Sequence, residues 1–419
     1  MNPTATATAD ELLDRLFNTE EGREDPYPIY KQLHEIAPFH RNPKDGIWYA
    51  CKHETCQAIL LDSRVGHNQE RLFRRPGGMS EAQRKRFEER LAKRRRRGFS
   101  MITENPPDHT RLRRLVSKGF TFRRVEGMRP RIAELAAQYL EPLKNGGEID
   151  VMERFAFPLP VSVIGELVGV PEEDREEFRP LVQEGLLASN KPDITEEEAA
   201  RAEKAFDKME AYFKELIAQK RAHPVDDMLS ALISVTDEDE GRLDEDELLA
   251  TAFLVFLAGF VTTTNLIGNG LFALFNNPGE MEKLWADGSL VNSAVEEFLR
   301  YDSPVQFVAR DVLEPLEVEG VQLTTDDSII PMVGAANRDP RRFENPDQLD
   351  IARKDNHPMS FGWGIHHCLG APLARAEGQI VFGLLRERFS KLELLDPNPP
   401  IASAFLRGRQ SLPVRFIPA

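Results

Sequence analysis

Cysteine is scarce in this chain. The 419 residues include only Cys51, Cys56 and Cys368, which rules out a disulfide framework and suits a reducing compartment. Positive charge is in deficit as well: the formal net charge of −15 at pH 7 argues against nucleic acid as the main partner. Long apolar runs are missing too. The longest, Leu248 to Val261, is too short to span a bilayer and is interrupted by Thr251 and Gly259. Met1 to Asp10 alternates Thr and Ala without a charged-then-apolar signal segment, so the expected location is the cytoplasm. No Gly-x-Gly-x-x-Gly dinucleotide loop, internal repeat or interdomain linker is visible. At 41% hydrophobic and 29% charged residues, the chain can bury one large core or two ordinary ones.

One cysteine lies in distinctive surroundings. Phe361-Gly362-Trp363-Gly364-Ile365-His366-His367-Cys368-Leu369-Gly370 is a glycine-rich loop, and Ala371-Pro372-Leu373-Ala374 after it reads as a helix with proline in its first turn. Amides at such a helix start, with the positive end of the helix dipole, are expected to lower the Cys368 pKa and stabilise a metal-bound sulfur. Gly362, Gly364 and Gly370 let the backbone turn tightly and approach a flat partner such as a porphyrin. Two other readings exist: a buried structural cysteine, and a zinc site on His366, His367 and Cys368, whose adjacent ligands cannot easily close a tetrahedron. Cys51 and Cys56, with His53 between them, read as two packed thiols.

Elsewhere the periodicity is mostly helical. Residues 11–38 look helical and Trp48 to Cys51 a short strand; 130–143, 152–168, 172–189 and 195–220 read as further helices. Residues 76–98 read as a basic helix, with a capping box at Ser80 and Arg94 to Arg97 ahead of Gly98. Asn105-Pro106-Pro107 leads a helix with His109 and Arg113 on one face and Arg111, Arg114 and Lys118 on another, which by itself is an ordinary solvated face. Asp244 to Phe275 reads as one helix of roughly 45 Å, apolar on most sides and therefore in the core. Gly259 in its middle costs about 1 kcal/mol, which points to a close approach or a local bulge. Glu297 and Arg300 form an i, i+3 pair, and residues 397–419 read as short hairpins with Phe405 and Leu406 near a turn.

Phe-Gly-x-Gly-x-His-x-Cys-x-Gly over residues 361–370 resembles the haem-ligating signature of the cytochrome P450 family, the haem-thiolate monooxygenases. The segment at 104–115, the long helix around Thr262 and the Glu297-x-x-Arg300 element match the family in the same order. The resemblance implies a mainly α fold with small β-sheets (α+β): a single large domain over residues 11–419, a long central helix over the haem, a disordered tail at 1–10, and the basic helix at 76–98 as an insertion in the distal cover. It implies haem b, iron protoporphyrin IX, with Cys368 as the metal ligand, Phe361 shielding the sulfur, and Gly362 and Gly370 shaping the loop. His109, Arg113, Arg310 and His366 would bind the propionates, and Arg341 would close an ion network with Glu297 and Arg300.

On the distal helix the resemblance puts Ala258, Gly259 and Thr262 at the catalytic centre. Val261 stands where the family usually has an acid, and Asn105 where Asp is usual. Expected substrate contacts are Leu254, Leu257, Val261, Val305, Phe307, Phe405 and Leu406, all apolar. The implied reaction inserts one atom of O2 into an apolar or amphipathic small molecule, by hydroxylation or epoxidation in secondary metabolism. Electrons would come from ferredoxin and ferredoxin reductase, docking a monomer at Arg111, Arg114, Lys118, Arg123 and Arg124. Alternatives are a haem sensor or carrier, a peroxide-driven haem enzyme in view of Val261, and an interaction protein that uses Arg94 to Arg97.

Overall fold

Asp244 opens the element around which the chain is packed. Its carboxylate accepts from the Glu247 amide at 2.8 Å while the Glu247 side chain accepts from the Asp244 amide at 3.0 Å, closing a capping box. The helix it starts, Glu245–Asn276, runs for 32 residues. The computed structural model describes residues 3–68, 100–190, 195–235 and 241–419; the basic helix expected at 76–98 lies outside the described residues. By length and composition Glu245–Asn276 could cross a membrane, but 56% of its apolar window is buried inside the fold. It is a core helix. Pro158–Val168, Glu196–Ala222, Val291–Tyr301 and Ala371–Arg388 pack against it.

Those neighbours come close because the helix is notched. A Cβ on Gly259 would lie 2.5 Å from Ile164 Cγ1, and one on Gly270 would lie 2.7 Å from Phe382 and 2.8 Å from Phe298. Gly259 therefore allows a close helix crossing, the close approach its mid-helix position pointed to. The helix continues through it with no bulge.

Several helix boundaries follow from local chemistry. The 11–38 segment divides into Pro3–Asn18, Glu20–Glu24 and Tyr27–Ile36, with Thr19 capping the second and Asp25-Pro26 stopping it. The disordered tail expected at 1–10 is helical from Pro3, because its Thr-Ala repeat continues the turn that buries Ala9, Leu12, Leu13 and Leu16. The 152–168 segment begins as a π turn, Met152–Ala156, before Pro158–Val168, since Pro158 and Pro160 lack the amides an α-helical ladder needs.

The β structure is small. Strands β1 (Phe39–Arg41), β2 (Trp48–Ala50), β3 (Val65–Gly66), β5 (Arg310–Val312) and β8 (Ser328–Pro331) form a sheet in the order β1-β2-β8-β5-β3, with only β2 and β8 parallel. β4 (Gly147–Asp150), β10 (Pro413–Pro418) and β9 (Phe389–Leu394) form a second, and β6 (Leu316–Val318) pairs with β7 (Val321–Leu323). Ahead of β10 the tail turns back on itself, bridging Ile401 to Arg409 and carrying Phe405 and Leu406 at the turn.

The Glu297 and Arg300 side chains are both fully buried, and Arg300 donates to Glu297 through Nε at 2.7 Å and Nη2 at 2.8 Å. The third member is Arg353, whose Nε lies 3.1 Å from Glu297 Oε2; this corrects the expectation for Arg341. Arg341 is 49% exposed, pairs with Asp339 at 3.0 Å and donates to the His34 carbonyl at 2.9 Å. Its chain neighbourhood ties down the N-terminal helices instead.

Two predictions follow from burial. Arg353→Ala strips a partner from a buried carboxylate and is expected to cost about 3 kcal/mol, against less than about 1 kcal/mol for Arg341→Ala; urea unfolding midpoints compare them, and equal losses would refute the reassignment. Gly259→Ala is expected to destabilise by about 1–3 kcal/mol through overpacking, with partial recovery when Ile164→Ala is added, read by the same midpoints.

Candidate active site

The Cys368 loop is built by backbone geometry. Met359–Phe361 makes a single 3-10 turn, Gly362 and Gly364 take positive φ of 67° and 71°, and the Cys368 amide donates back to the Phe361 carbonyl at 2.8 Å. Gly364 also has to be small, because a Cβ there would sit 2.2 Å from the Leu60 carbonyl. The loop runs into Ala371–Arg388 with proline in the first turn, as expected. Phe361 lies under the Arg375 guanidinium, 4.4 Å from ring centroid to Cζ, and Arg375 is held by Glu296 at 2.5 Å.

Cys368 is open to solvent at its surface, yet the surrounding loop is dense. Burial pushes its thiol up, and the Gly370 and Ala371 amides, with the Arg113 and Arg375 charges, pull it down only in part. Without a metal the net shift is upward, opposite in direction to the lowering expected from the amides and the helix start. A bound metal ion would keep the sulfur ionised, since coordination deprotonates a thiol outright.

Beside this loop, donors and positive charges gather without an anion. His109, from the helix Asp108–Gly119, lies 4.4 Å from His366 between ring centroids. Both ring nitrogens of His109 and Nε2 of His366 are buried without a hydrogen-bond partner among the described residues. Arg113, one turn beyond His109, donates to the His367 carbonyl at 2.8 Å, and Arg310 donates to the Ala309 carbonyl at 2.8 Å. Among the described residues no carboxylate forms an ion pair with either arginine. Burial pushes Arg310 down to about 10, and burial followed by the Arg310 charge pushes His366 down to about 2. Buried unpaired imidazole nitrogens beside two half-buried guanidiniums are costly unless an anion completes the group. Two carboxylates on the edge of a flat ligand over the Cys368 loop fit that need, so these residues fit a haem.

On the other side, the long helix exposes one stripe. Leu254, Leu257, Val261 and Thr262 are only partly buried and Ala258 is exposed, whereas Val255, Phe256 and Phe260 are buried. The spacing of the open residues, i, i+3, i+4, i+7 and i+8, is one helix face. An apolar face left open in the middle of an otherwise buried helix is a surface on which a small apolar molecule can lie. Leu254, Leu257, Val261 and Phe361 pack on one core cluster, while Phe307 packs on the N-terminal one. Phe307 still reaches Phe405, with rings 5.1 Å apart, and Val305 bridges Leu406. Asn265, one turn beyond Val261, holds that tail turn by donating to the Leu406 carbonyl at 3.1 Å. Sequence reasoning missed Asn265, Arg353 and His67, whose ring is 5.0 Å from His366; each acts through a partner far away in the chain.

The expected basic face is partly consumed. Arg111 pairs with Glu247, and Arg124 with Asp226 at 3.1 Å; Arg114, Lys118 and Arg123 lie at the surface, as does Phe122, 69% exposed. A cleft of about 500 Å³ lined in part by Arg123, Arg124, Arg131 and Glu166 adjoins them. Cys51 and Cys56 are buried thiols, as expected, and Cys56 Sγ donates to the Ala50 carbonyl at 3.1 Å.

The cytochrome P450 family model matches residues 70–413. Cytochrome P450 107B1 of Saccharopolyspora erythraea is 39% identical, covering 97% of this chain and 99% of that protein. The 6-deoxyerythronolide B hydroxylase of the same organism is 37% identical, covering 94% and 96%. The crystal structure of myxobacterial CYP267B1 in complex with myristic acid superposes with a TM-score of 0.85 at 35% identity, over 96% of this chain and 99% of that one. With relatives this similar matched along nearly their whole length, the chain belongs to the cytochrome P450 family of haem monooxygenases.

Proposed function

We propose that Cys368 would hold the iron of a haem b as its thiolate ligand, that His109, Arg113, Arg310 and His366 would meet its propionates, and that the enzyme oxygenates an apolar or amphipathic molecule lying along the open face of Glu245–Asn276. The observation that carries the reading is the set of buried, partnerless imidazole nitrogens beside the Cys368 loop. When bound, thiolate-ligated haem iron activates O2 for insertion into carbon, because the sulfur pushes electron density toward the metal. The chain's own residues supply the rest. Phe361, which the family resemblance places as the shield of the sulfur, is braced by Arg375. Leu254, Leu257, Val261, Val305, Phe405 and Leu406 offer the substrate an apolar wall, with Phe307 behind Phe405. Myristic acid, bound in one relative, is a molecule of the amphipathic kind such a wall suits.

Proton supply is the unusual part. Thr262 Oγ1 donates to the Ala258 carbonyl at 3.2 Å, so its proton is directed into the helix, and Val261 beside it can neither donate nor order water. A substrate hydroxyl or bound water has to take the place of the missing acid. Electrons come from ferredoxin, reduced by ferredoxin reductase. Arg114, Lys118 and Arg123 offer such an acidic partner complementary charge around the apolar Phe122.

The purified protein is expected to be red and to give the thiolate-type Soret band when reduced under carbon monoxide. Cys368→Ala is expected to abolish that band; its persistence would sink the ligand assignment. Val261→Asp is expected to raise product formed per reductant consumed by at least about two-fold on a substrate without a hydroxyl near the reacting carbon. An unchanged ratio would mean that protons arrive by a route independent of this position.

A further inference from the structure

His67 belongs to none of the segments that resemble the family, yet it stands at the same cluster of orphaned donors. It follows β3, where Gly66 pairs with Asp311 of β5; continuing that antiparallel register sets His67 opposite Arg310. Its ring is 5.0 Å from that of His366 and meets it edge-on at 81°. The residue is 7% exposed, and both ring nitrogens lack a partner among the described residues. A neutral imidazole holds one N–H, and leaving it buried and unpaired costs as much as a broken hydrogen bond. Burial comes first, then the Arg310 charge, then His109, in pushing His67 down to about 3.

Its position is fixed by a second residue. Asn105 Oδ1 accepts from the His67 amide at 2.9 Å, and Asn105 Nδ2 donates to the His67 carbonyl at 2.7 Å. Only a carboxamide can do both. An aspartate would accept from the amide but set its second oxygen against the His67 carbonyl. Gly66 completes the clamp, because a Cβ there would lie 2.3 Å from Asn105 Oδ1. Asn105, where aspartate is usual, is therefore matched to His67.

We propose that His67 is a further haem-binding residue of this chain, donating its ring N–H to a propionate, and that Asn105 is the residue that positions it. The inference rests on the haem reading above and adds a donor to it. Three imidazoles and two guanidiniums, His67, His109, His366, Arg113 and Arg310, then surround the two carboxylates.

The test is the rate at which holoenzyme surrenders haem to excess apomyoglobin, followed in the Soret region, for wild type, His67→Phe, His67→Gln and Asn105→Asp. His67→Phe keeps ring volume and the edge-on contact but removes the donor, and is expected to lose haem roughly ten-fold faster, the effect of one charge-assisted hydrogen bond. His67→Gln restores a donor and is expected to stay within about three-fold of wild type; Asn105→Asp is expected to fall between them. Equal rates for wild type and His67→Phe would reduce His67 to packing and overturn the proposal. So would His67→Gln losing haem as fast as His67→Phe. The reduced carbon monoxide band separates this from the underlying reading: it is expected in every variant, and its absence from the wild type would bring down the haem ligation itself.

Discussion

A carboxylate buried to zero exposure cannot stand alone in a low-dielectric core, and the answer to Glu297 organises the region that carries Cys368. Arg300 and Arg353 neutralise it, and the Asp350 amide and Asn356 Nδ2 fill its remaining acceptor positions at 2.9 and 3.0 Å. Arg300 spends its other N–H groups on the carbonyls of Asn337, Pro346 and Gln348. From Asn337 the chain of constraint continues: its side chain accepts from the Met359 amide at 2.7 Å and donates to Ser360 Oγ at 2.9 Å. Ser360 in turn donates to the Leu299 carbonyl at 2.6 Å. Phe361 follows directly, and its carbonyl receives the Cys368 amide. One buried ion cluster thus sets the turn that aims the sulfur, and removal of any charged member leaves another charge uncompensated.

The opposite situation holds at the propionate cradle. There the buried imidazole nitrogens have no partner among the described residues and the half-buried Arg113 and Arg310 meet only carbonyls, so in the proposed reading the ligand's carboxylates complete the site. This makes cofactor binding part of folding energetics: whatever binds the folded state alone stabilises it by mass action. The same donors give the site its selectivity for a dianionic edge, while the glycine-rich loop below and the open helix face above admit a flat body.

The features legible in the sequence are those whose cause is local. The Phe361 to Gly370 loop, the proline-led helix after it, the Asp244 cap and the His109 and Arg113 pair all depend on residues a few positions apart, and the structure has them where periodicity put them. The failures are long-range. Arg353 lies 56 residues beyond Glu297, and nothing in its own neighbourhood marks it as the partner rather than Arg341. The close approach expected at Gly259 is real, but its partner, Ile164, lies on another helix and could not be named from the local pattern. His67 depends on β3 meeting β5, and on Asn105. The Thr-Ala tail looked disordered because its weakly apolar turns gain a partner only where Leu12, Leu13 and Leu16 meet Ile29, Tyr30 and Leu33. The direction of the Cys368 shift differs for another reason: amides and a helix start lower it, but the desolvation that opposes them depends on packing density, which a sequence does not display.

The distal helix shows how one departure changes what a substrate has to do. An acid at 261 would let the protein carry its own proton donor to the cavity, and the substrate could then be wholly apolar. With Val261 and a Thr262 hydroxyl turned to the Ala258 carbonyl, the cavity wall is apolar along Leu254, Leu257 and Val261. Water that enters such a wall has few partners and is easily displaced by an apolar guest. A fully apolar guest would therefore exclude the very molecules that could bring protons, whereas a guest with a hydroxyl near the reacting carbon brings its own donor and retains a water beside it. Selectivity and proton delivery become one property of the bound molecule, and discrimination against a guest that lacks the hydroxyl arises at the chemical step more than at binding.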